Sequence, residues 1–451
     1  MKTLAQIAAE LQGYDPQSLP AEDVSRFLAK LVAPVIDASD VPLFEALGRL
    51  LAADVVSPFD VPPHDNSAMD GYAFDGQQLN NAPLTLQVMG TAFAGKAWQG
   101  NVAAGQCVKI MTGAIMPMGL NTVVPQEFVS TDGQKITIPP KLLKPGDNRR
   151  HRGEDLMQGK PALLKGELLT PARLGLAASL GLKTVNCYRQ LKVAYFSTGD
   201  EILSLGEAPR EGAVYDSNRY TVFGLLTRMG CQVIDMGVVR DDPALLEAAF
   251  KQAAAQADAI ITSGGVSVGE ADHTKAMMKK LGDVAFWRIA MRPGRPMAVG
   301  RIEKPFLEAV LGGKSASSPS NTSASSYENS SDSNGCMLFG LPGNPVAVMV
   351  TFLAFVRPAL LQMMGANATP QPLLKARSIE AMRKKPGRTE YQRGWVSTAA
   401  DGTCQVKTTG NQGSGVLSSM AEANGLIVLH HAQSNVAAGD AVDVLMFDGA
   451  I

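Results

Sequence analysis

The feature that most constrains the fold is an alternation of strand-like and helix-like segments that begins at Leu191. Apolar runs of strand length lie at 193–197, 232–239, 259–262, 284–292, 297–302 and 337–340. Segments with helical spacing lie between or after them, at 217–229, 244–257, 273–281 and 345–364. Strands separated by helices of this length favour a doubly wound, mostly parallel sheet. We therefore predict a central α/β domain over residues 191–368.

The segments on either side of this alternation have other patterns. Helical spacing recurs at 24–35, 43–56 and 170–180, whereas short apolar runs and Gly or Pro turns fill 58–155. Strand patterns return after Pro370. The sequence thus predicts a multidomain α/β protein in which three other domains accompany the central sheet. These are a helical domain at 1–57 and 156–190, an inserted β-rich domain at 58–155, and a small C-terminal β-barrel-like domain at 369–451.

Residues 312–335 break the pattern, because Ser, Asn and Gly dominate them. Such a composition cannot bury enough apolar area to offset the entropy lost on ordering. We predict a disordered insertion within the central domain. For a loop of this length, the alternative is a functional lid.

Composition and charge exclude several classes of partner. The chain has 41 Lys and Arg against 42 Asp and Glu, so no basic excess exists for binding nucleic acid or an acidic membrane surface. The longest apolar run, at 346–356, is shorter than the ~20 residues of a membrane span. The five cysteines lack the spacing of zinc or redox sites, and the N-terminal segment lacks the apolar core of a signal peptide. We expect a cytoplasmic protein with reduced cysteines.

Acidic residues follow three strands of the predicted sheet. Glu201 comes after the first strand, Asp241 after the second, and Asp272 after the Gly-rich turn that follows the third. Because the carboxyl ends of parallel strands meet at one edge, we expect these acids to converge beside the amides of that turn. Mg²⁺ takes a few carboxylates together with phosphate oxygens, so this edge is a candidate magnesium site. The alternative is that such acids only cap the following helices.

Arginines lie on the predicted strand at 284–292. Arg288 and Arg292 are four residues apart, so both side chains would lie on one face, and Arg295 follows them. Guanidinium groups match phosphate and other tetrahedral oxyanions in geometry. Solvated arginines on an edge strand are the alternative.

Two later segments are candidates for ligand contact. In the turn at 340–345, Pro345 suits the first turn of the following helix and Asn344 suits its N-cap, so a purely structural role is the alternative. In the C-terminal domain, Arg388 and Arg393 lie on a predicted strand, and Ser414 follows in a polar loop. Basic side chains there would complement the acidic edge across a cleft between domains.

Several motifs together resemble the bacterial molybdopterin molybdenumtransferase family, which is related to the E-domain of gephyrin. They are DNSAMDGYA at 65–73, MTGA at 111–114, HRGED at 151–155, STGDE at 197–201, DSNR at 216–219, RDDP at 240–243, TSGGVSVGEAD at 262–272 and GLPGNPV at 340–346. Alone, each polar segment of the inserted domain would fit ordinary turn chemistry. Together the motifs cover nearly the whole chain. The resemblance implies an enzyme that inserts molybdate into adenylylated molybdopterin and releases AMP with help from Mg²⁺.

The resemblance also implies roles for individual residues. The functional polar residues would be Asp70, Thr112, Asp155, Glu201, Asp241 and Asp272. Three of these would hold the metal, namely Glu201, Asp241 and Asp272. The substrate-binding residues would be Ser197, Thr198, Gly199, Ser263, Gly264, Gly265, Arg288, Arg292, Pro342, Pro345, Arg388, Arg393 and Ser414. The implied assembly is a homodimer in which Asp70, Thr112 and Asp155 act in trans, with a transient contact to molybdopterin adenylyltransferase.

Two departures and two alternatives accompany this resemblance. Relatives commonly carry lysines where this chain has Arg288, Arg292 and Arg295, and the insertion at 312–335 is not part of the family pattern. The alternative enzyme is a molybdopterin adenylyltransferase, whose fold resembles the central domain alone, so the additional domains argue against it. A non-enzymatic scaffold is the other alternative, because one relative anchors receptors, but the sequence offers no long partner-binding helix.

Overall fold

The computed structural model of the protein describes residues 2–266, 273–304, 335–367 and 370–447. The chain forms two compact units, of which the smaller comprises residues 40–47 and 53–186 and the larger comprises 1–39, 48–52 and 187–451. The four-domain division inferred from the sequence is finer and stays a prediction. The predicted insertion at 312–335 lies outside the described residues, except for Gly335.

The N-terminal segment begins with helices α1 (Leu4–Ala9) and α2 (Ala21–Leu31). Helix α2 buries one apolar face, which includes Val24, Phe27 and Leu28. The helix predicted at 43–56 is wrong. Strand β1 (Ala38–Pro42), one 3₁₀ turn (Leu43–Glu45) and strand β2 (Val55–Val56) lie there instead. Gly48 takes a φ of 73°, a conformation that a helix interior does not use, so the chain turns at that point.

The smaller unit is built mainly from short strands. Its elements are β3 (Asn66–Ser67), β4 (Gly71–Phe74), β5 (Leu84–Ala92), β6 (Gln106–Ile110), β7 (Thr122–Pro125), β8 (Ser130–Thr131), β9 (Lys135–Ile138), β10 (Arg149–Arg150), β11 (Pro161–Leu163) and α3 (Pro171–Ser179). The main sheet has the strand order β7-β4-β6-β5-β9-β8. Alternate residues of β4 face two separate small cores, with Ala73 in one and Tyr72 and Phe74 in the other. The predicted β-rich character of this segment is confirmed.

The larger unit contains the central sheet. After β12 (Thr184–Tyr188) its elements are β13 (Lys192–Thr198), β14 (Ile202–Leu203), β15 (Val214–Tyr215), α4 (Ser217–Arg228), β16 (Gln232–Val239), α5 (Pro243–Gln256), β17 (Ala259–Ser263), α6 (His273–Leu281), β18 (Gly282–Arg288), β19 (Met291–Arg292), β20 (Pro296–Ile302) and β21 (Cys336–Leu341). The strand order is β16-β13-β17-β21-β20-β18, and the first four strands are parallel. Helix α4 packs on one face, and α5 and α6 pack on the other. The predicted doubly wound, mostly parallel sheet is therefore confirmed.

A long apolar helical segment follows β21. It consists of α7 (Pro345–Thr351), a π-helical turn (Phe352–Val356) and α8 (Arg357–Met363). The π turn precedes Pro358, which has no N–H for the helical ladder and forces the backbone to adjust. By length and composition, Pro345–Met363 could cross a membrane, but 67% of its most apolar window is buried inside the protein. It is packed as a core helix.

The C-terminal residues form a closed barrel. Its elements are β22 (Leu374–Ser378), β23 (Thr389–Thr398), β24 (Cys404–Thr408), α9 (Leu417–Ala421), β25 (Gly425–Leu429) and β26 (Ala441–Met446). The strands pair in the order β23-β24-β22-β26-β25, and β25 pairs again with β23. Closure leaves Val406, Ile427 and Val444 in the interior. The barrel-like domain predicted from the sequence is confirmed.

The single strand predicted at 284–292 is wrong. Strand β18 ends at Arg288, and β19 pairs with β23 of the barrel. Between them, Leu19 of the N-terminal segment donates its N–H to the carbonyl of Arg288 and accepts from the N–H of Ala290. This long-range pairing draws the chain out of the central sheet. Arg288 and Arg292 therefore lie on different strands of different sheets.

Candidate functional site

The carboxyl ends of four parallel strands meet at one edge of the central sheet. Thr198 pairs with Val239, and Ser263 pairs with both Ser197 and Leu341. The turns that follow β13, β16, β17 and β21 consequently lie side by side. This is the edge at which ligands bind in open α/β sheets.

Glycines let these turns approach one another closely. A Cβ on Gly264 would lie 2.4 Å from the carbonyl oxygen of Thr198, and one on Gly265 would lie 2.5 Å from the Cβ of Thr274. Both glycines have positive φ, at 89° and 62°. A Cβ on Gly343 would lie 3.9 Å from the Cα of Gly264. Gly264 and Gly265 thus let the turn after β17 lie directly against its neighbours, and a larger residue at either position would clash.

Below this surface, three hydroxyl groups bond to one another. The Tyr195 hydroxyl lies 2.9 Å from Ser197 Oγ and 2.7 Å from Ser263 Oγ, and the two serine oxygens are 3.2 Å apart. All three side chains are buried. Burial is the main cause that raises the pKa of Tyr195, so it stays protonated. Ser197 and Ser263, both predicted to bind substrate, therefore support the turns from beneath.

The acidic residues lie at the tips of neighbouring strands. The carboxylate of Glu201 lies over Gly199, since a Cβ on that glycine would be 2.4 Å from Glu201 Oε2. Asp241 Oδ1 accepts a hydrogen bond of 3.3 Å from the hydroxyl of Thr274, on α6. The N–H of Asp241 lies 3.4 Å from Asp200 Oδ1, which joins the two turns. The turns after β13 and β16 are therefore in contact through Asp200 and Asp241, while the convergence of Glu201 with Asp241 stays a prediction.

The third predicted metal ligand, Asp272, lies outside the described residues. Within the described ranges, no group of three His, Cys, Asp or Glu side chains is placed to hold a metal ion. The three-carboxylate site consequently stays a prediction, and Glu201 and Asp241 are the part of it that the structure places.

A loop of the barrel contacts the turn after β21. The Nδ2 of Asn344 donates to Ser414 Oγ at 3.2 Å, and the N–H of Val346 donates to the Ser414 carbonyl at 3.2 Å. Asn344 occupies the N-cap position of α7, but its side chain makes no capping bond. The predicted capping role is therefore wrong for the side chain. Pro345 does occupy the first turn of α7, and Pro342 is buried in the turn.

Arg393 holds this loop in place. Only 1% of the residue is exposed, and its guanidinium donates to Ser419 Oγ at 3.0 Å. It also donates to three consecutive loop carbonyls, those of Asn411 at 2.9 Å, Gln412 at 3.3 Å and Gly413 at 3.0 Å. Burial, with the charge of Arg292 as a lesser cause, lowers the pKa of Arg393 to about 10, so the group stays charged at neutral pH. Its donors are committed to the loop that leads to Ser414, while contact with a ligand stays a prediction.

The other predicted arginines do not share one strand. Arg288, Arg292 and Arg295 are all exposed, and the first two lie on separate strands. Arg388 donates from Nε to Glu390 at 2.8 Å and is about one-third exposed. The expectation that Arg288 and Arg292 share one strand face is wrong.

In the smaller unit, two predicted residues are in direct contact. Asp70 Oδ1 accepts hydrogen bonds from the N–H of Thr112 at 2.6 Å and from its hydroxyl at 2.7 Å. The backbone N–H is the main cause that lowers the pKa of Asp70, followed by the hydroxyl. Asp155 is exposed, and its N–H donates to the carbonyl of Val61. These residues lie on turns of the unit's strands, and their part in function stays a prediction.

Two buried polar residues were given no role from the sequence. Asp216 is the N-cap of α4, where its Oδ1 accepts from the N–H of Arg219, and Asn218 follows in the first turn. Among the described residues, neither Asp216 Oδ2 nor Asn218 Oδ1 has a hydrogen-bond partner. The only signal in the sequence is the DSNR motif at 216–219, which contains both.

Comparison with protein-family models matches three consecutive parts of the chain. The model of the MoeA N-terminal region (domain I and II) matches residues 19–181. The model of a probable molybdopterin binding domain matches 194–362, and that of the MoeA C-terminal region (domain IV) matches 375–447. The central sheet, except for the first two residues of β13, and the carboxyl edge of its parallel strands fall within the second match.

Whole proteins and solved structures are similar over nearly the full length. A molybdopterin molybdenumtransferase of Haemophilus influenzae is 40% identical over 425 residues, which cover 94% of this chain and 97% of that protein. One from Nostoc is 32% identical over 445 residues, covering 96% of this chain and 95% of that protein. The crystal structure of the molybdopterin biosynthesis moeA protein of Pyrococcus horikoshii matches with a TM-score of 0.75 at 26% identity. It covers 96% of this chain and 100% of that one.

Proposed function

Because the chain belongs to the molybdopterin molybdenumtransferase family, we propose that it inserts molybdate into adenylylated molybdopterin and releases AMP. The observation that carries this proposal is the carboxyl edge of the central sheet. There, close-packed glycine turns lie beside Glu201 and Asp241. A backbone surface with adjacent carboxylates suits a phosphoanhydride group that brings its own cation.

The carboxylates of this edge fit Mg²⁺ by their chemistry. Mg²⁺ is usually held by one or two carboxylates and by substrate phosphate oxygens, and Glu201 and Asp241 both present side chains that are at least partly open to solvent. We propose that these two residues, with Asp272, hold the ion. When bound, it would neutralise charge on the phosphate oxygens.

The remaining residues act by positioning. The glycine turns at Gly199 and Gly264 lie at the edge where we place the phosphate oxygens, and Ser414 lies beside the turn after β21 through its contact with Asn344. Arg393 keeps the Ser414 loop in that position. No covalent nucleophile of the protein is needed, since orientation and charge neutralisation supply the catalysis.

The alternative function, adenylylation of molybdopterin, is not favoured. Two relatives that are similar over more than 90% of the chain are named as molybdenumtransferases. Matches to the MoeA N-terminal and C-terminal regions account for the two segments that flank the central domain.

Assembly and location belong to the same proposal. We propose a cytoplasmic homodimer in which Asp70, Thr112 and Asp155 act on the site of the partner subunit. A transient contact with molybdopterin adenylyltransferase would deliver the adenylylated substrate. Size measurement in solution tests the dimer, and mixing of two inactive variants, one changed at Asp70 and one at Glu201, tests action in trans by recovery of activity.

The central experiment is an assay of AMP release from adenylylated molybdopterin under anaerobic conditions, with and without molybdate. We expect release that depends on molybdate. Glu201→Gln and Asp241→Asn should each lower the rate by about 100-fold or more, as expected for groups that stabilise transition-state charge. Asp272→Ala should have a similar effect.

The matched control is Asp242→Asn, the same substitution one residue further on. Asp242 caps α5 by accepting from the N–H groups of Ala244 and Leu245, and Asn caps helices equally well. Its rate should stay within about twofold of the unchanged protein. Equal losses in Asp241→Asn and Asp242→Asn would contradict the role assigned to the edge carboxylates.

A further inference from the structure

The start of α4 carries two buried oxygen atoms that the described residues leave without donors. Asp216 is 3% exposed and Asn218 is 7% exposed. Asp216 Oδ2 and Asn218 Oδ1 have no hydrogen-bond partner among the described residues. Burying an unpaired acceptor is costly, and the cost is much larger for a carboxylate. Both atoms therefore call for a donor that the described residues do not supply.

Both residues are tied to the ligand-binding edge. The Nδ2 of Asn218 donates to the carbonyl of Gly343 at 2.7 Å, in the turn after β21. The N–H of Asp216 donates to the carbonyl of Leu203, just beyond the Glu201 turn. The charge of Asp216 also reaches Tyr195, where it helps to raise the pKa of the phenol. The unpaired oxygens therefore belong to the same edge as the glycine turns, on the side that α4 covers.

The chemistry of the two atoms indicates what they bind. A hard cation would need several oxygen ligands, and no group of three acidic or metal-ligating side chains exists within the described ranges. Both atoms are hydrogen-bond acceptors at the start of α4, so a ligand that pairs with them presents N–H donors. The pterin ring has this pattern, with an amino group beside a ring N–H, and a carboxylate that accepts from it forms a strong hydrogen bond.

We propose that Asp216 and Asn218 bind the pterin end of the substrate by accepting hydrogen bonds from its amino and ring N–H groups. This inference rests on the proposed function, and it divides the edge into two parts. The glycine turns and the acids receive the adenylate phosphates, while the start of α4 receives the pterin ring.

The test compares two ligands that share only the nucleotide end. Affinity for adenylylated molybdopterin is measured under anaerobic conditions from the fluorescence of the pterin ring, and affinity for AMP by calorimetry. In Asp216→Asn, the NH2 group of the side-chain amide replaces the unpaired oxygen, so a donor would face the donors of the ring. In Asp216→Ser, that oxygen is absent. Both replacements cap helices well, so α4 should form in each. Asp242→Asn is the matched control on the neighbouring helix.

We expect both Asp216 variants to bind adenylylated molybdopterin at least tenfold more weakly, because a ligand donor loses its buried acceptor. AMP affinity should change less than twofold, which also reports an intact edge, and Asp242→Asn should match the unchanged protein for both ligands. Unchanged affinity for adenylylated molybdopterin, or equal weakening of both ligands, would overturn the assignment. With either of these outcomes, molybdate-dependent release of AMP by the unchanged protein would still support the proposed function. Only the assignment of Asp216 and Asn218 to the pterin ring would then be lost. Failure of the unchanged protein to bind adenylylated molybdopterin would instead remove the function and the assignment together.

Discussion

Two buried polar groups in the larger unit have nearly the same exposure and opposite surroundings. Arg393 in the barrel is 1% exposed, and its guanidinium donates four hydrogen bonds to a hydroxyl and three carbonyls. Asp216 at the start of α4 is 3% exposed, and one of its carboxylate oxygens has no partner within the described ranges. A buried charge whose bonds are made within the chain stabilises the fold. One whose bonds are missing costs stability, and at Asp216 we assign the missing partner to the ligand.

The largest effect on stability is therefore expected at Arg393. Arg393→Met keeps much of the side-chain volume but removes every donor from the loop at 411–413, so we expect the free energy of unfolding to fall by about 2–4 kcal/mol. Urea unfolding measures the change. The control is Arg383→Met, at an exposed position of the same barrel, where we expect a change within about 0.5 kcal/mol.

The same substitution at Arg393 has a second consequence. Because the freed loop carries Ser414, molybdate-dependent AMP release should fall even at temperatures where the protein stays folded. A loss of stability below about 1 kcal/mol would contradict the view that the four bonds of Arg393 are structural.

An acid with complete hydrogen bonding sharpens the comparison. Asp258 receives two hydrogen bonds from Arg189, at 2.7 and 2.8 Å, and a third from the N–H of Lys192 at 2.8 Å. Its side chain is 14% exposed. We expect Asp258→Asn to lower the free energy of unfolding at pH 7 by about 2 kcal/mol, because hydrogen bonds to a charged group are replaced by weaker ones.

This effect should depend on pH. Burial alone would raise the pKa of Asp258, but the bonds from Arg189 and Lys192 outweigh burial and hold it below its usual value of 3.8. A carboxyl with a lowered pKa in the folded state stabilises the protein above its usual pKa and loses this contribution as the pH falls through the folded value. The difference between the unchanged protein and Asp258→Asn should therefore shrink below pH 3.8. A constant difference down to pH 2.5 would show that the charge is not its source.

Much of the central fold could be predicted because its signals are local. Strand β17 at Ala259–Ser263 and helix α6 at His273–Leu281 lie almost where the apolar runs and the helical spacing indicate. Strands buried on both faces read as continuous apolar segments, and a parallel sheet then follows from the alternation. The same reasoning assigned the turns that carry Glu201 and Asp241 to one edge of the sheet, since it needs only the order of the strands and their ends.

The features that the sequence did not predict have long-range causes. The strand predicted at 284–292 breaks because Leu19, far away in the sequence, pairs with the chain between β18 and β19. No local pattern indicates that Arg393 donates to a loop around 20 residues further on, and its contact with ligand stays a prediction. Asp216 and Asn218 were overlooked for a related reason. A motif records residue types, but the absence of a hydrogen-bond partner exists only once the chain is folded.

The smallest stability effect, and the one of opposite sign, is expected at Asp216. Asp216→Asn removes a buried negative charge that has an unpaired oxygen, while the amide still accepts from the N–H of Arg219 as a helix cap. We expect the ligand-free protein to be as stable as the unchanged one or more stable, by about 0–1 kcal/mol, since relief of the buried charge offsets a weaker cap. Urea unfolding without ligand, beside Asp258→Asn, makes the comparison between two buried acids direct. Equal destabilisation by both substitutions would mean that Asp216 finds its partners within the protein, and the distinction between structural and ligand-binding charges would then fail at this site.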